Sequence, residues 1–217
     1  MTELEHLQVA IEDAFAITSR ETPPWPDPHP DHGAKPQEAY SRLTNPARWR
    51  ILRARTDAWL IALTQSDLAT VEPVAHVAWR SSPGPVITSA ERVVPAAAGA
   101  LELVIAQSRI GDVGDAGVVL GVGSPAECIN WFPDCGCDAC DSGSQNELDH
   151  LDNHLLGIVT GRFRRLTKRT QTITVINEDR WSATNLSATT RRHVENVLAD
   201  PRGWTDLTGT SWLHASA

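Results

Sequence analysis

Between residues 74 and 132 the apolar residues come in short runs: VAHVAWR, PVITSAERVV, ALELVIAQSRI and AGVVLGVG. Each is cut off by glycine, proline or aspartate. Runs of this length read as strands, and Pro83-Gly84-Pro85 and the Asp/Gly cluster at 111–117 read as turns. Links this tight leave no room for crossover helices, so successive strands pair antiparallel. The helical signals lie on either side. In residues 3–18, Leu4, Leu7, Ile11, Ala14 and Phe15 recur at helical spacing, with Glu3, Glu5, Glu12 and Asp13 opposite. Residues 46–65 repeat the pattern through Trp49, Leu52, Thr56, Trp59, Leu60 and Leu63. Asn45 suits the N-cap there, and Pro46 the first helical position.

A third helix is expected at 145–160, opened by Ser144 and Glu147 as a capping box and stopped by Gly161. A threonine-rich strand at 166–177 and a helix near 188–199 follow. The expected fold class is α+β, a mainly antiparallel sheet with packed helices, in a single domain over 1–217. Two segments stand outside this pattern. Residues 22–36 hold six of the 14 prolines and form an extended arm, with Trp25 as its anchor on the body. The other is a cysteine loop at 128–141.

All four cysteines of the chain fall within that loop, as Cys128-Ile-Asn-Trp-Phe-Pro-Asp-Cys135-Gly-Cys137-Asp-Ala-Cys140-Asp. The 137/140 spacing is that of a knuckle, in which two sulfurs converge on one ion, and Gly136 relieves crowding between its neighbours. Zinc takes four ligands in a tetrahedron. Cys128, Cys135, Cys137 and Cys140 supply four with no distant partner, and they are the expected metal ligands. The second C-x-x-C of a zinc ribbon is missing, however. Asp134, Asp138 and Asp141 also add negative charge, unless they accept backbone N–H groups in Asx-turns. Plain reduced thiols and redox chemistry therefore stay open beside structural metal. Redox ranks lower, because the next helix starts beyond Cys140 and the aspartates raise thiol pKa values.

Other signals are weaker. His150 and His154 share a helix side and could replace Cys128, but both lie away from the leucine stripe and read as surface residues. His29 and His32 with Asp27 and Asp31 could form a further cation cluster on the arm, but proline stiffness holds them extended. Gly121-Val122-Gly123-Ser124-Pro125-Ala126 mimics a dinucleotide fingerprint, yet the cysteine loop follows it where a helix is required. No P-loop, H-E-x-x-H or G-x-S-x-G occurs.

Charge and composition narrow the partners. With 19 Lys and Arg against 27 Asp and Glu, the formal net charge is −8. A coat for nucleic acid is disfavoured. A local patch would need Arg48, Arg50, Arg53 and Arg55, or Arg162, Arg164, Arg165, Lys168 and Arg169. The first 15 residues carry no secretory pattern, and the weakly polar stretch 113–123 is far short of a membrane span. A cytoplasmic protein with reduced cysteines is expected.

The run Trp131 to Asp141 resembles the CGCDACD signature of an uncharacterised actinobacterial family, a domain of unknown function. Tyr40-Ser41-Arg42-Leu43-Thr44-Asn45-Pro46 resembles that family's N-terminal signature. The resemblance rests on Cys135, Cys137 and Cys140 and does not extend to Cys128. It implies a bacterial cytoplasmic protein and brings no assigned activity. Two functions follow for testing. One is a binding or interaction module with a structural zinc loop and a protein partner, its eight tryptophans including interface anchors. The other is a thiol- or metal-dependent enzyme using the same loop.

Overall fold

The computed structural model describes residues 1–31, 33–177, 180–186 and 191–213. The chain divides into two compact units, Met1–Ala96 with Glu102–Leu151, and Ala97–Leu101 with Asp152–Ala217. The first begins with α1 (Glu3–Thr18), opened by a capping box between Thr2 and Glu5. A short 3-10 turn at Pro46–Trp49 then leads into α2 (Arg50–Gln65). Pro46 occupies the first turn as expected, but the Asn45 side chain makes no cap bond.

Five strands follow: β1 (Ala69–Pro73), β2 (Ile87–Pro95), β3 (Leu103–Ile110), β4 (Val113–Val122) and β5 (Glu127–Phe132). They pair antiparallel in chain order. The α+β expectation holds. Alternation along β3 and β4 separates two faces. Leu103, Ile105 and Gln107 stand opposite Val122, Leu120 and Val118 on one face. There Gln107 Nε2 donates to Thr56 Oγ1 of α2 at 3.3 Å. The other face carries Ala90, Val104, Ala106 and Val119, packed with Ala126 and covered by Val74, Val77, Trp79 and Ile87.

That cover corrects one expected strand. Residues 74–80 are not a strand; after the Val74 N–H bonds Ala90 O, only a single bridge joins Trp79 to Ala126. Val74 and Val77 are three apart, so the run cannot keep the two-residue period of a ladder and lies across the face instead. The fingerprint-like Gly121–Ala126 segment is the link from β4 to β5 and opens no helix.

The helix α3 (Ser144–Val159) belongs to the first unit up to Leu151 and to the second from Asp152. In the second unit, β6 (Arg164–Lys168), β7 (Gln171–Val175), β8 (Trp181–Thr184) and β9 (Thr205–Thr208) form a separate sheet in the order β8-β7-β6-β9. The single strand expected at 166–177 is thus a hairpin, β6–β7, turning at Arg169 with φ +58°. The turn was not legible because neither Arg169 nor Thr170 is a usual turn residue. The last helix, α4 (Arg191–Ala199), places Val194 on Leu166 and Ile173. Residues 188–190 of its expected start lie outside the described residues.

Gly121 is tightly packed against Trp79 on the cover face. A Cβ there would lie 2.5 Å from Trp79 Cζ3. We expect Gly121→Ala to destabilise the chain by ~1–3 kcal/mol in chemical denaturation, as overpacking does. In a Trp79→Leu background the same substitution should cost clearly less.

Candidate metal centre

β5 ends at Phe132, and the chain turns through Pro133 into the cysteine loop. Cys137 and Cys140 form a tight knuckle, closed by the Cys140 N–H donating to Cys137 O at 3.1 Å. The thiol of Cys135 approaches Cys137 Sγ at 3.3 Å. The three Sγ atoms of Cys135, Cys137 and Cys140 all lie within 4.8 Å of one another. Thiolates on tetrahedral zinc, bonded at about 2.3 Å, stand about 3.8 Å apart, so little movement would seat an ion. Cys137 is buried, while Cys135 and Cys140 are exposed. All four cysteines are thiols, with no disulfide among them.

The thiols are not equivalent. Burial raises the pKa of Cys137. Hydrogen bonds from Cys135, Cys140 and the Ala139 and Cys140 amides outweigh that and leave it lowered. Cys140 is pushed up to about 12, by its bond to Cys137, by burial and by Cys135. Three thiolates this close repel, so full ionisation of the triad requires a cation among the sulfurs.

Cys128, the expected fourth ligand, lies in β5 opposite Gly121 of β4 and packs on the Ala90/Val104/Ala106/Val119 cluster, outside the convergent group. His150 is half-buried and meets the Phe132 ring edge-on at 5.1 Å. His154 is buried, against the surface position expected. One turn further along its side of α3, Gly157 lies so close to the Ile176 carbonyl that no Cβ fits, so a second face of the helix is covered besides the leucine stripe. Of the arm cluster, His32 lies outside the described residues, and His29 Nε2 is bonded to Asp138 O at 2.9 Å.

The two aspartates in the CGCDACD run serve as staples. Asp138 accepts from Arg42 Nε at 2.6 Å and from the Thr44 N–H and hydroxyl. The Thr44 and Arg42 bonds together hold its pKa down to about 2. Asp141 is fully buried. It accepts from Gly143 N–H in an Asx-turn at 2.9 Å, from Trp25 Nε1 at 3.0 Å and from Arg48 at 2.9 Å. The repulsion that these carboxylates threatened is thereby relieved.

Backbone bonds run alongside, Asp138 N–H to Arg42 O at 2.8 Å and Ala139 N–H to Ala39 O at 3.2 Å. Ala39, Cys137 and Ala139 form a small apolar cluster beneath them. The two segments that carry the family resemblance therefore meet in space. Three of the four arginines of the 46–65 helix are also committed inside the first unit: Arg48 to Asp141, Arg53 to Asp57 and Asp115, and Arg55 to Glu12.

Sequence reasoning missed a role for Ser144. Its hydroxyl accepts from the Trp25 N–H at 3.0 Å and donates to Trp25 O, tying the proline arm to the start of α3. The neighbouring Glu147 keeps one carboxyl oxygen buried without a hydrogen-bond partner. Burial, then Asp134 and Asp141, raise its pKa to about 7.

Fold and loop together define an α+β protein that carries a three-cysteine cluster able to hold a metal ion. The chain belongs to the Family of unknown function (DUF6226), which matches it over residues 11–214. No curated protein and no solved structure matches it. Among the described residues, no helix is long and apolar enough to cross a membrane.

The folded chain holds the Glu147 proton more tightly than the unfolded chain, whose glutamate titrates near 4.5. This group therefore favours folding at low pH, fully below 4.5, and the advantage is lost as pH rises through about 7. We expect Glu147→Gln to raise stability at pH 8 by up to ~2 kcal/mol and to change it little at pH 4.5, read by thermal unfolding.

Proposed function

We propose that the protein is a binding module whose loop at 135–140 holds one zinc ion through Cys135, Cys137 and Cys140. One observation carries this reading: three sulfurs converge on a knuckle whose own amides bond the central sulfur. Amide donors to sulfur favour the thiolate, the form that binds metal. Thiolate donors select soft or borderline ions, zinc among them. The ion would do structural work. It would fix the loop that Asp138 and Asp141 staple to residues 25 and 42–48.

The enzymatic alternative draws on the exposure of Cys135 and Cys140, which leaves two sulfurs open to a reacting molecule. A catalytic zinc keeps an open position beside a base, and a structural one is closed.

Protein purified without added metal should contain about one zinc per chain. Cys137→Ser should abolish most of that zinc and lower the melting temperature by ~5 °C or more. Because the ligands must lose protons, zinc should leave the wild-type chain as pH falls below about 5. A Cys137→Ser chain that melts unchanged, with wild-type protein free of metal, would leave only reduced thiols.

A further inference from the structure

Two of the converging cysteines stand at the ends of one closed turn. The Cys140 N–H donates to Cys137 O at 3.1 Å. The ends of such a turn have Cα atoms less than about 7 Å apart, within the span of a disulfide. The three sulfurs lie within 4.8 Å of one another, and all are thiols. Cys135 Sγ comes nearer to Cys137, at 3.3 Å, but only Gly136 separates those residues, and a bond there would close a smaller and more strained ring. Cys137 and Cys140 are therefore the pair that the loop can join with least movement.

Exposure sets the order of events. Cys140 is exposed and Cys137 is buried, at 6%. A small oxidant meets Cys140 from solvent, with Cys137 directly behind it. Cys128 packs on the far cluster and takes no part. The turn is held through its carboxylates, Asp138 on Arg42 and Thr44, and Asp141 on Arg48 and Trp25. Those bonds leave the sulfurs free to exchange one partner for another.

Metal and oxidant compete for the same atoms. A sulfur on a metal ion is a thiolate. The thiolate is also the form that attacks peroxide. The aspartates that weigh against a redox catalyst therefore do not protect a metal-bound sulfur. Joining Cys137 to Cys140 spends two of the three converging donors at once. Whatever completes the tetrahedron, the ion then loses both.

We propose that the loop is a redox-sensitive metal site, in which hydrogen peroxide joins Cys137 to Cys140 and expels the ion. The inference rests on the zinc reading above and adds the condition under which zinc is released. The Cys140 thiolate attacks one peroxide oxygen and the O–O bond breaks. Cys140 becomes a sulfenic acid, and the hydroxide that leaves takes a proton to form water. The Cys137 thiolate then attacks the Cys140 sulfur, the S–O bond breaks, and the second hydroxide also takes a proton. Each sulfur gives up one electron and the peroxide takes two. A thiol reductant reverses the pairing by exchange.

The zinc-loaded full chain, treated with a small molar excess of hydrogen peroxide, is the test. A chromogenic chelator should detect release of all the bound zinc. The mass of the denatured, unreduced chain should fall by two hydrogens. After alkylation and digestion, Cys137 and Cys140 should be joined, and Cys128 and Cys135 should carry the alkyl group. Dithiothreitol should restore zinc binding. Cys135→Ser should still form the pair, whereas Cys140→Ser should gain oxygen instead; both are read by mass, whatever zinc they hold. Zinc retained through the treatment would overturn the proposal. So would a bond that includes Cys128 or Cys135, a bond between two chains, or oxygen added to the wild-type sulfurs without pairing. A wild-type chain that forms the pair but holds no zinc when purified would instead overturn the metal reading.

Discussion

The buried carboxylate of Asp141 is the interaction on which the cysteine-loop end of the first unit depends. A charge taken out of water must be matched where it lies. Here it is matched by the Arg48 guanidinium, the Trp25 indole N–H and the Gly143 amide. Those three partners belong to the turn before α2, the proline arm and the start of α3, so one carboxylate joins three segments to the cysteine loop. Arg48 is itself packed over the Trp25 and Trp49 rings, 5.3 Å from each centroid, and the two rings meet edge to face at 5.2 Å. Gly143 has φ +84° and no room for a Cβ against the Asp27 backbone. The arm can lie this close only because that position is glycine.

This arrangement ties the proline-rich arm down at Trp25. An arm of that composition has few backbone donors and makes no ladder of its own. It is instead held by the Ser144 hydroxyl, which bonds both polar groups of the Trp25 backbone. Ser144 was legible as a helix start, and Trp25 as an anchor. That each satisfies the other was not, because 119 residues separate them.

What could be read beforehand was local. The α1 stripe, the three β runs between 85 and 123 and the start of α3 follow from periodicity and punctuation, and they came out within a few residues. Three differences share a non-local cause. Residues 74–80 have strand composition but serve as a cover for the sheet. His154 has a polar side chain on what looked like a wet face, yet that side of α3 is enclosed. Cys128 is close to the other cysteines in sequence, but β-strand alternation turns it onto the far cluster. Spacing brought three thiols together correctly, because a knuckle is set by its own backbone. A ligand on the preceding strand is set by the register of the sheet, which spacing alone does not reveal.

The three convergent cysteines span only Cys135 to Cys140, whereas their staples come from positions nearly a hundred residues earlier. Ligands this local are still neighbours when the chain is unfolded. An ion bound to them can therefore stay bound before the fold forms and after it is lost. A ligand shared by both states stabilises only by the difference between its two affinities. The staples at Asp138 and Asp141 supply that difference by holding the loop in one shape. Tight metal binding and a modest gain in stability would thus be compatible in this chain, and an ion would be open to the loop from the earliest stages of folding.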